Sequence, residues 1–235
     1  MKVQSATGTR LDIDIQDFIG SRILREGAYE PLSLARAVDL MSSGGVFVDV
    51  GSNFGLYTCT VGMRPGVTCL AVDPSAEAFS ALQKNLALNP GVTAYLAHVA
   101  VANTGFLTRL EFPREDNLAM ARVSEASLRD GSGYLVATTT LAEVLRHFQL
   151  DKIKLLKIDV EGYELQVLRG LDWSSSFRPV NIIMEFTDEI RTTYQTKEQC
   201  RAFLEERGYC AYTVEGTPYE RGAPVPEDNL WFRED

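Results

Sequence analysis

The chain has 235 residues, of which 45% are hydrophobic and 23% are charged, and its net charge is −9. This composition is typical of a soluble α/β protein with one full core or two small ones. The acidic balance without a Lys/Arg cluster argues against a nucleic-acid partner, because such affinity depends on concentrated positive charge. Four cysteines without a Cys-x-x-Cys pair indicate reduced thiols, and no run approaches the roughly 18 apolar residues of a membrane span. We therefore expect a cytoplasmic protein that binds neither nucleic acid nor membrane.

The first part of the chain, residues 1–43, reads as an extension of the core. A short strand is predicted over residues 9–15 and a helix over 17–24. A second helix is predicted over 32–43, because apolar residues recur there at helical spacing. We expect this extension to pack on a main domain formed by residues 44–235.

From residue 44 onward, strands and helices alternate. The run Val46 to Val50 is apolar on both faces, which suits a parallel strand buried between two helix layers. Further strands are predicted at 67–72, 92–101, 153–160 and 180–186, with helices at 56–63, 75–89, 141–148, 163–171 and 197–208. This order predicts a doubly wound sheet with helices on both faces and its ligand at the carboxyl ends of the strands.

Two regions depart from this alternation. Strand-like segments at 105–112 and 134–140 flank a polar stretch without a clear period, and a long irregular loop inside a domain is usually disordered or functional. We predict that the insertion at 103–139 forms a flap over the ligand edge. The tail offers two more strands, at 208–214 and 229–233, after a helix whose start carries a capping box of Thr196 and Gln199.

The turn after the first core strand, FVDVGSNFG, is the first candidate ligand site. Gly51 and Gly55 suit a tight turn, whereas Asn53 stands where a dinucleotide fingerprint has the glycine that approaches a pyrophosphate. The simple alternative is a turn that needs glycine for a positive φ and nothing else. Asp49 favours a ligand, because a carboxylate inside an apolar strand is costly to bury without a cationic partner.

The end of the second core strand carries Asp73, which follows Gly51 by 22 residues. An acid about 20 residues beyond a glycine turn accepts hydrogen bonds from a ribose diol. Asp73 can equally cap the helix that follows Pro74, and the two roles are compatible. Both turns together favour an adenosine-type ligand.

A third candidate lies in LLKIDVEGYELQVLRG, residues 155–170. Asp159 ends a buried strand, and Lys157 within that strand is expected to pair with a nearby carboxylate. For Glu161 and Glu164 two interpretations are equally good: a role in the active site, or stabilisation of the helix that begins here. Acidic side chains are favourable at the N-terminal end of a helix.

Weaker candidates follow in IIMEF and at the two histidines. Glu185, with Asp188 and Glu189 after it, could contribute to a divalent cation site, although a solvated acidic loop is the better reading. His98, near a strand end, is a candidate general base. His147 is expected at the surface.

The motifs GAYEP, FVDVGSNFG, AVDPS, LQKNLALN, TTTL, LLKIDVEGYELQVLRG and IIMEF occur in an order that resembles the FkbM family of S-adenosylmethionine-dependent methyltransferases, over residues 17–233. KIDVEG with the following E-x-x-V-L-x-G is the most specific part. Ser52 and Phe54 depart from the more usual residues of the family. The resemblance implies a Rossmann-like class I methyltransferase fold, with a seven-stranded, mostly parallel sheet and a C-terminal antiparallel hairpin.

The resemblance also implies roles for the candidate residues. Near the methionyl end of the cofactor it implies Asp49, Gly51, Asn53 and Gly55, together with Glu30, whose motif also contains Gly27 and Tyr29. It implies Asp73 at the ribose and Ala100 to Ala102 at the adenine. Asp159 would lie beside the methyl group. S-adenosylmethionine has no phosphates, so no glycine is needed at position 53 for a backbone approach to a pyrophosphate. The carboxylate of the cofactor can bind at the helix N-terminus instead.

The resulting prediction is O-methylation of a hydroxyl on a small secondary metabolite or a sugar. Asp159, Glu161 and His98 are the candidate catalytic residues that remove the hydroxyl proton. A Mg²⁺ ion between Asp159 and the 185–189 segment is an option that the pattern does not favour, and no metal ligand is assigned. Two alternatives stay open, namely an NAD-dependent oxidoreductase and a catalytically silent scaffold that binds the cofactor.

Overall fold

The computed structural model describes residues 1–4, 8–111, 122–124, 133–174, 176–186 and 197–234. Its main feature is a seven-stranded sheet with the order β12-β13-β11-β10-β3-β4-β5. The strands are β3 (Gly45–Val50), β4 (Val67–Val72), β5 (Thr93–Ala97), β10 (Ile153–Ile158), β11 (Asn181–Glu185), β12 (Tyr209–Thr213) and β13 (Asn229–Glu234). The strands from β11 to β5 pair in parallel, whereas β13 runs antiparallel to both β11 and β12. The predicted doubly wound sheet and its C-terminal antiparallel hairpin are confirmed.

Helices cover both faces of this sheet. They are α1 (Phe18–Glu26), α2 (Pro31–Leu40), α3 (Leu56–Gly62), α4 (Ala76–Leu88), α5 (Leu141–Phe148), α6 (Glu164–Arg169) and α7 (Lys197–Glu205). In β3, Val48 and Val50 pack with residues of α5, α6 and α7, while Phe47 packs with residues of α2 and α3 on the other face. Apart from Asp49, the side chains from Val46 to Val50 are apolar, because both faces of the strand are covered by helices. Within the described part of the chain, no helix is long and apolar enough to cross a membrane.

The strand order reverses between β3 and β10, since the chain continues from β3 toward β4 and β5 but returns to β10 on the other side. Ligands of open α/β sheets bind in the crevice that such a reversal leaves at the carboxyl ends of the strands. Asp49, near the end of β3, lies opposite Lys157 of β10 in the register of these two strands. The fold thus brings the first and third candidate motifs to the same crevice.

A second sheet, with the order β6-β9-β7-β8, corrects one prediction. Its strands are β6 (Ala100–Val101), β7 (Leu107–Glu111), β8 (Arg122–Ser124) and β9 (Gly133–Thr139). The sequence predicted one strand over 92–101, but β5 ends at Ala97 and β6 pairs with β9 instead. The segment is divided because its first part pairs in the main sheet and its last part pairs in the second sheet. A continuous apolar run in the sequence does not show where such a division falls. About half of the predicted flap, namely 112–121 and 125–132, lies outside the described residues.

The N-terminal extension contains a small antiparallel sheet of β1 (Lys2–Gln4) and β2 (Arg10–Asp12). Asn85 of α4 and the C-cap residue Asn89 hold β2 by its backbone: Asn85 Oδ1 accepts from the Asp12 amide at 2.7 Å, and Asn89 Oδ1 accepts from the Arg10 amide at 3.0 Å. Asn85 Nδ2 also donates to the Phe54 carbonyl at 2.8 Å. The asparagines of the LQKNLALN motif therefore tie the extension and the first ligand turn to one helix.

We expect Asn85→Ala to lower the free energy of unfolding by about 2 kcal/mol, because the Phe54 carbonyl and the Asp12 amide lose their partner. Amide hydrogen exchange at Asp12 should accelerate in the variant. Gln83→Ala, at an exposed position of the same helix, is the matched control and should leave both quantities unchanged. Equal stability of the two variants would contradict this role of Asn85.

Candidate active site

Unusual backbone conformations concentrate at the carboxyl edge of the main sheet. Glu30, Asn53 and Glu161 have positive φ angles of 46°, 49° and 55° although none is glycine. Such residues cost about 1–3 kcal/mol each and cluster at ligand sites and turns. The GAYEP, FVDVGSNFG and KIDVEG motifs thus each contain a residue in a strained backbone conformation.

Gly51 brings β3 and β10 into very close contact at the crevice. It has a φ of 82°, and a Cβ atom at this position would lie 1.7 Å from the Asp159 carbonyl oxygen. The Asp159 amide in turn donates to the Val50 carbonyl at 3.0 Å. Gly51 is therefore required both by its conformation and by this approach of two backbones.

The side chain of Asp49 is buried with only part of its hydrogen-bonding capacity used. It is 1% exposed, and its Oδ2 accepts from Thr58 Oγ1 at 2.6 Å. Among the described residues, its Oδ1 has no hydrogen-bond partner. Burial raises the pKa of Asp49, while the Lys157 charge and the Thr58 hydroxyl oppose that shift. An unpartnered carboxylate oxygen in a buried position is suited to a cationic or hydrogen-bond-donating ligand group.

Lys157 supplies a buried positive charge at the centre of this edge. It is 2% exposed, its Nζ lies 2.7 Å from Asp159 Oδ2, and it sits 4.5 Å from the centre of the Tyr57 ring. Burial alone lowers the pKa of Lys157, but the carboxylates of Asp159, Glu30 and Asp49 outweigh burial and raise it. The predicted pairing of Lys157 with a carboxylate is confirmed. This one cation interacts electrostatically with three acids.

Glu30 joins this cluster from the N-terminal extension. Its Oε2 accepts from the Tyr57 hydroxyl at 2.7 Å, and burial raises the pKa of Glu30 while the Lys157 charge lowers it. The pKa of Tyr29 is also raised, first by burial and then by Glu30, Asp159, Glu161 and Glu185. The GAYE segment therefore lies within electrostatic reach of the acids that follow β10 and β11.

Asp73 binds two backbone amides with its two oxygens. Its Oδ1 accepts from Ser75 N and its Oδ2 from Asn53 N, each at 2.8 Å. Burial raises the pKa of Asp73 to about 6 although both of these bonds lower it. Asp73 thus links the first and second turns, but the capping alternative is wrong, because Ser75 occupies the N-cap position of α4 and its Oγ accepts from the Ala78 amide. Each oxygen keeps a lone pair for a further donor.

The acids after β10 divide into two kinds. Glu164 is buried, and its Oε1 accepts from the amides of Val160 and Gly162 at 3.3 and 3.0 Å, so it shapes the turn. Glu185, at the end of β11, has its pKa raised to about 11 by burial and by Asp159 and Glu161. Asp188 and Glu189 lie outside the described residues.

Among the residues with a described position, no group of three or more His, Cys, Asp or Glu is arranged to hold a metal ion.

His98 follows β5 and lies on the far side of the crevice from Asp159. His98 Nε2 is 3.1 Å from the Pro74 carbonyl oxygen, and the ring stacks on Phe79 at 4.7 Å. Three strand spacings, roughly 14 Å, separate the ends of β5 and β10. Ala100 is buried in β6. The structure therefore places His98 beside the turn that contains Asp73, and groups Glu30, Asp49 and Asp159 around Lys157. His147 is exposed, as expected.

Sequence reasoning missed Tyr57 and Thr58, which contact Glu30 and Asp49. Both residues lie in the first turn of α3, directly after Gly55. The sequence did contain a signal for them, namely hydroxyl groups inside the otherwise apolar run LYTCTVG. Buried hydroxyls need hydrogen-bond partners, so these side chains were candidates to contact the acids of the site.

This sheet order and crevice define a class I methyltransferase fold. A solved structure described as the METTL16 MTase domain has the same fold, with a TM-score of 0.51, 11% identity and coverage of 94% of this chain and 71% of that one. Residues 49–210 match the family model described as the Methyltransferase FkbM domain, so the chain belongs to the FkbM family of S-adenosylmethionine-dependent methyltransferases.

Relatives in this family extend across most of the chain. Methyltransferase sdnD of Sordaria araneosa is 27% identical over 80% of this chain and 83% of its own length. The 31-O-demethyl-FK506 methyltransferase FkbM of Streptomyces tacrolimicus is 26% identical over 62% of this chain and 66% of its own length. The resemblance predicted from the motifs is confirmed.

Proposed function

We propose that this protein transfers a methyl group from S-adenosylmethionine to a hydroxyl of a small molecule, a secondary metabolite or a sugar. The observation that carries the proposal is the unpartnered Oδ1 of buried Asp49, beside a cluster in which Lys157 balances only part of the acidic charge. A cofactor with an ammonium and a sulfonium complements such a cluster. The name of the Streptomyces relative, which specifies a 31-O position, supports a hydroxyl acceptor.

The residues present fit this cofactor better than a dinucleotide. Asn53 and its positive φ of 49° leave no glycine at the position where a pyrophosphate would approach the backbone. Glu30, Asp49, Gly51 and Gly55 would surround the methionyl end, with Asp73 at the ribose and Ala100 at the adenine. Once bound, the sulfonium provides a good leaving group, so the protein's main task is to orient the acceptor and exclude water.

The hydroxyl proton requires an acceptor on the Asp159 side of the crevice. Asp159 and Glu161 follow β10 directly, whereas His98 follows β5, three strand spacings away. We therefore favour Asp159 and Glu161 as bases over His98. Burial and the neighbouring Asp159 raise the pKa of Glu185, which favours its protonated form and suits it to donate a hydrogen bond to an oxygen of the acceptor.

Binding of the cofactor should depend on the ionisation of Asp73. Because the pKa of Asp73 is about 6, its carboxylate becomes protonated as the pH falls from 7 to 5 and accepts fewer hydrogen bonds from ribose. We expect the Kd for S-adenosylhomocysteine to rise up to about tenfold over this range. Asp73→Asn should bind more weakly and lose most of this pH dependence, as measured by calorimetry.

The control for this prediction is Glu77→Gln, an exposed acid at the start of the same helix, which should keep the wild-type pH profile. Unchanged affinity in Asp73→Asn would show that the ribose assignment is wrong.

The acceptor can be identified by incubating the protein with cofactor labelled in its methyl group and with pools of hydroxylated metabolites and sugars. We expect label in a base-stable methyl ether of one compound class. Label on nitrogen or on a carboxyl group would contradict O-methylation of a hydroxyl. Parallel incubations with a chelator test the metal option.

A further inference from the structure

The N-terminus of α2 is closed by a residue from the other end of the chain. Pro31 has no amide hydrogen, and the Leu34 amide donates to the Glu30 carbonyl at 2.9 Å, so only Leu32 and Ser33 are left with free amides. Glu227 Oε1 accepts from Leu32 N at 2.9 Å, and its Oε2 accepts from Ser33 N at 2.8 Å. One carboxylate thus binds both amides, and we call this arrangement the α2 cap.

The α2 cap is anchored to the main sheet. Glu227 has a positive φ of 55°, and its carbonyl accepts from Asn229 Nδ2 at 2.8 Å. The next residue, Asp228, accepts from the Phe186 amide at the end of β11. Asn229 begins β13 and lies opposite Glu185 in the register of β11 and β13. The position of Glu227 is therefore fixed by backbone contacts with two strands.

The α2 cap changes what Glu30 can do. Glu30 occupies the N-cap position of α2, yet its side chain makes no capping hydrogen bond. Its carboxylate accepts from the Tyr57 hydroxyl and lies within reach of the Lys157 charge. Side chains at N-cap positions ordinarily bind the first amides of their helix. Because Glu227 binds these amides, the Glu30 carboxylate is free to face the crevice.

We propose that Glu227 is a positioning residue, which holds Glu30 and Tyr29 against the methionyl end of the cofactor by capping α2 from outside. The proposal rests on the proposed function, since it assigns a cofactor contact to the GAYE segment. The Glu227 charge also reaches the site itself, because it is one of the negative charges that, after burial, raise the pKa of Tyr57. The connection between β12 and β13 thereby becomes part of the cofactor site without touching the cofactor.

The test compares two probes that differ in the methionyl end. S-adenosylhomocysteine carries the amino-acid portion, whereas 5′-methylthioadenosine shares the adenosine and the sulfur but lacks that portion. We expect Glu227→Ala to bind S-adenosylhomocysteine at least about tenfold more weakly, with the affinity for 5′-methylthioadenosine within twofold of wild type. Glu227→Gln, which keeps the size and one acceptor oxygen, should show the same selective loss to a smaller degree.

Two further measurements complete the test. Amide exchange at Leu32 and Ser33 should accelerate in both variants, which reports loss of the α2 cap directly. Glu220→Gln, an exposed acid in the same connection, is the matched control and should bind both probes as wild type does.

Equal weakening of both probes, or no weakening despite faster amide exchange, would overturn the positioning role. Failure of the proposed function has a different signature: without cofactor binding the wild-type protein would bind neither probe, and with a different acceptor the label would appear on nitrogen or on a carboxyl group while both affinities stay unchanged.

Discussion

Gly51→Ala should abolish the close contact of β3 and β10 and with it the cofactor crevice. The added Cβ would lie 1.7 Å from the Asp159 carbonyl oxygen, at a φ of 82° that already disfavours any side chain. Neither backbone can yield easily, because the Asp159 amide is bonded to the Val50 carbonyl. We expect a loss of at least about 4 kcal/mol in the free energy of unfolding, a magnitude confined to severe steric and burial defects. Urea unfolding and the Kd for S-adenosylhomocysteine measure the two consequences.

Gly222→Ala provides a closely matched control. Gly222 has a φ of 83°, but no atom of the described residues lies within 4 Å of its added Cβ. It should therefore show the conformational cost alone, roughly 1–2 kcal/mol, with unchanged cofactor affinity. If the two variants were equally stable and bound the cofactor equally well, the close approach at Gly51 would have no importance.

Lys157→Met should destabilise the protein by about 3–5 kcal/mol at pH 8, because removing one partner leaves buried carboxylates without their cation. Asp159 loses its ion pair, and Asp49 and Glu30 lose the charge that opposes the rise in their pKa values. The effect is a difference in the free energy of unfolding between wild type and variant, measured in urea.

The loss should depend on pH in a definite direction. In the wild type, the raised pKa of Lys157 means that its contribution is present at neutral pH and is lost only in strongly basic solution. In the variant, the pKa values of Asp49 and Glu30 rise further, so the folded state takes up protons as the pH falls. The deficit should therefore be smaller at pH 5.5 than at pH 8.

Lys154→Met, on the same strand, is the control for this dependence. Lys154 Nζ donates to Ser43 Oγ and to the Gly44 carbonyl, at 2.6 and 3.0 Å, and its bonds involve no carboxylate. Its loss should cost about 1–2 kcal/mol at either pH. The same pH-independent loss in Lys157→Met would contradict the charge-balancing role of Lys157.

Local chemistry explains which parts of the site the sequence predicted. Asp49, Gly51 and Asp73 stand at the ends of strongly apolar runs, where a charged residue or a glycine is conspicuous. The structure places Asp49 in β3 and Asp73 directly after β4, and gives Gly51 the positive φ that a tight turn requires. Their chemical roles toward the cofactor remain predictions.

The missing parts depend on contacts between distant segments. The α2 cap joins Glu227 to amides 195 and 194 positions away, and no local pattern marks the pairing. The sequence predicts that Asn53 excludes a pyrophosphate. The structure adds a second role in the turn, because Asn53 has a positive φ and its backbone amide donates a hydrogen bond to Asp73. The division of 92–101 into two strands was equally invisible, because both parts are apolar. The boundary at residue 43 stays a prediction.

Calorimetric titration of the wild-type protein with S-adenosylmethionine, S-adenosylhomocysteine and NAD tests the central claim most directly. The two sulfur-containing nucleosides should bind at one site with Kd values in the micromolar range, near −8 kcal/mol. NAD should not compete, because Asn53 occupies the position where a pyrophosphate needs glycine. Preferential binding of NAD, or binding of none of the three, would contradict the account.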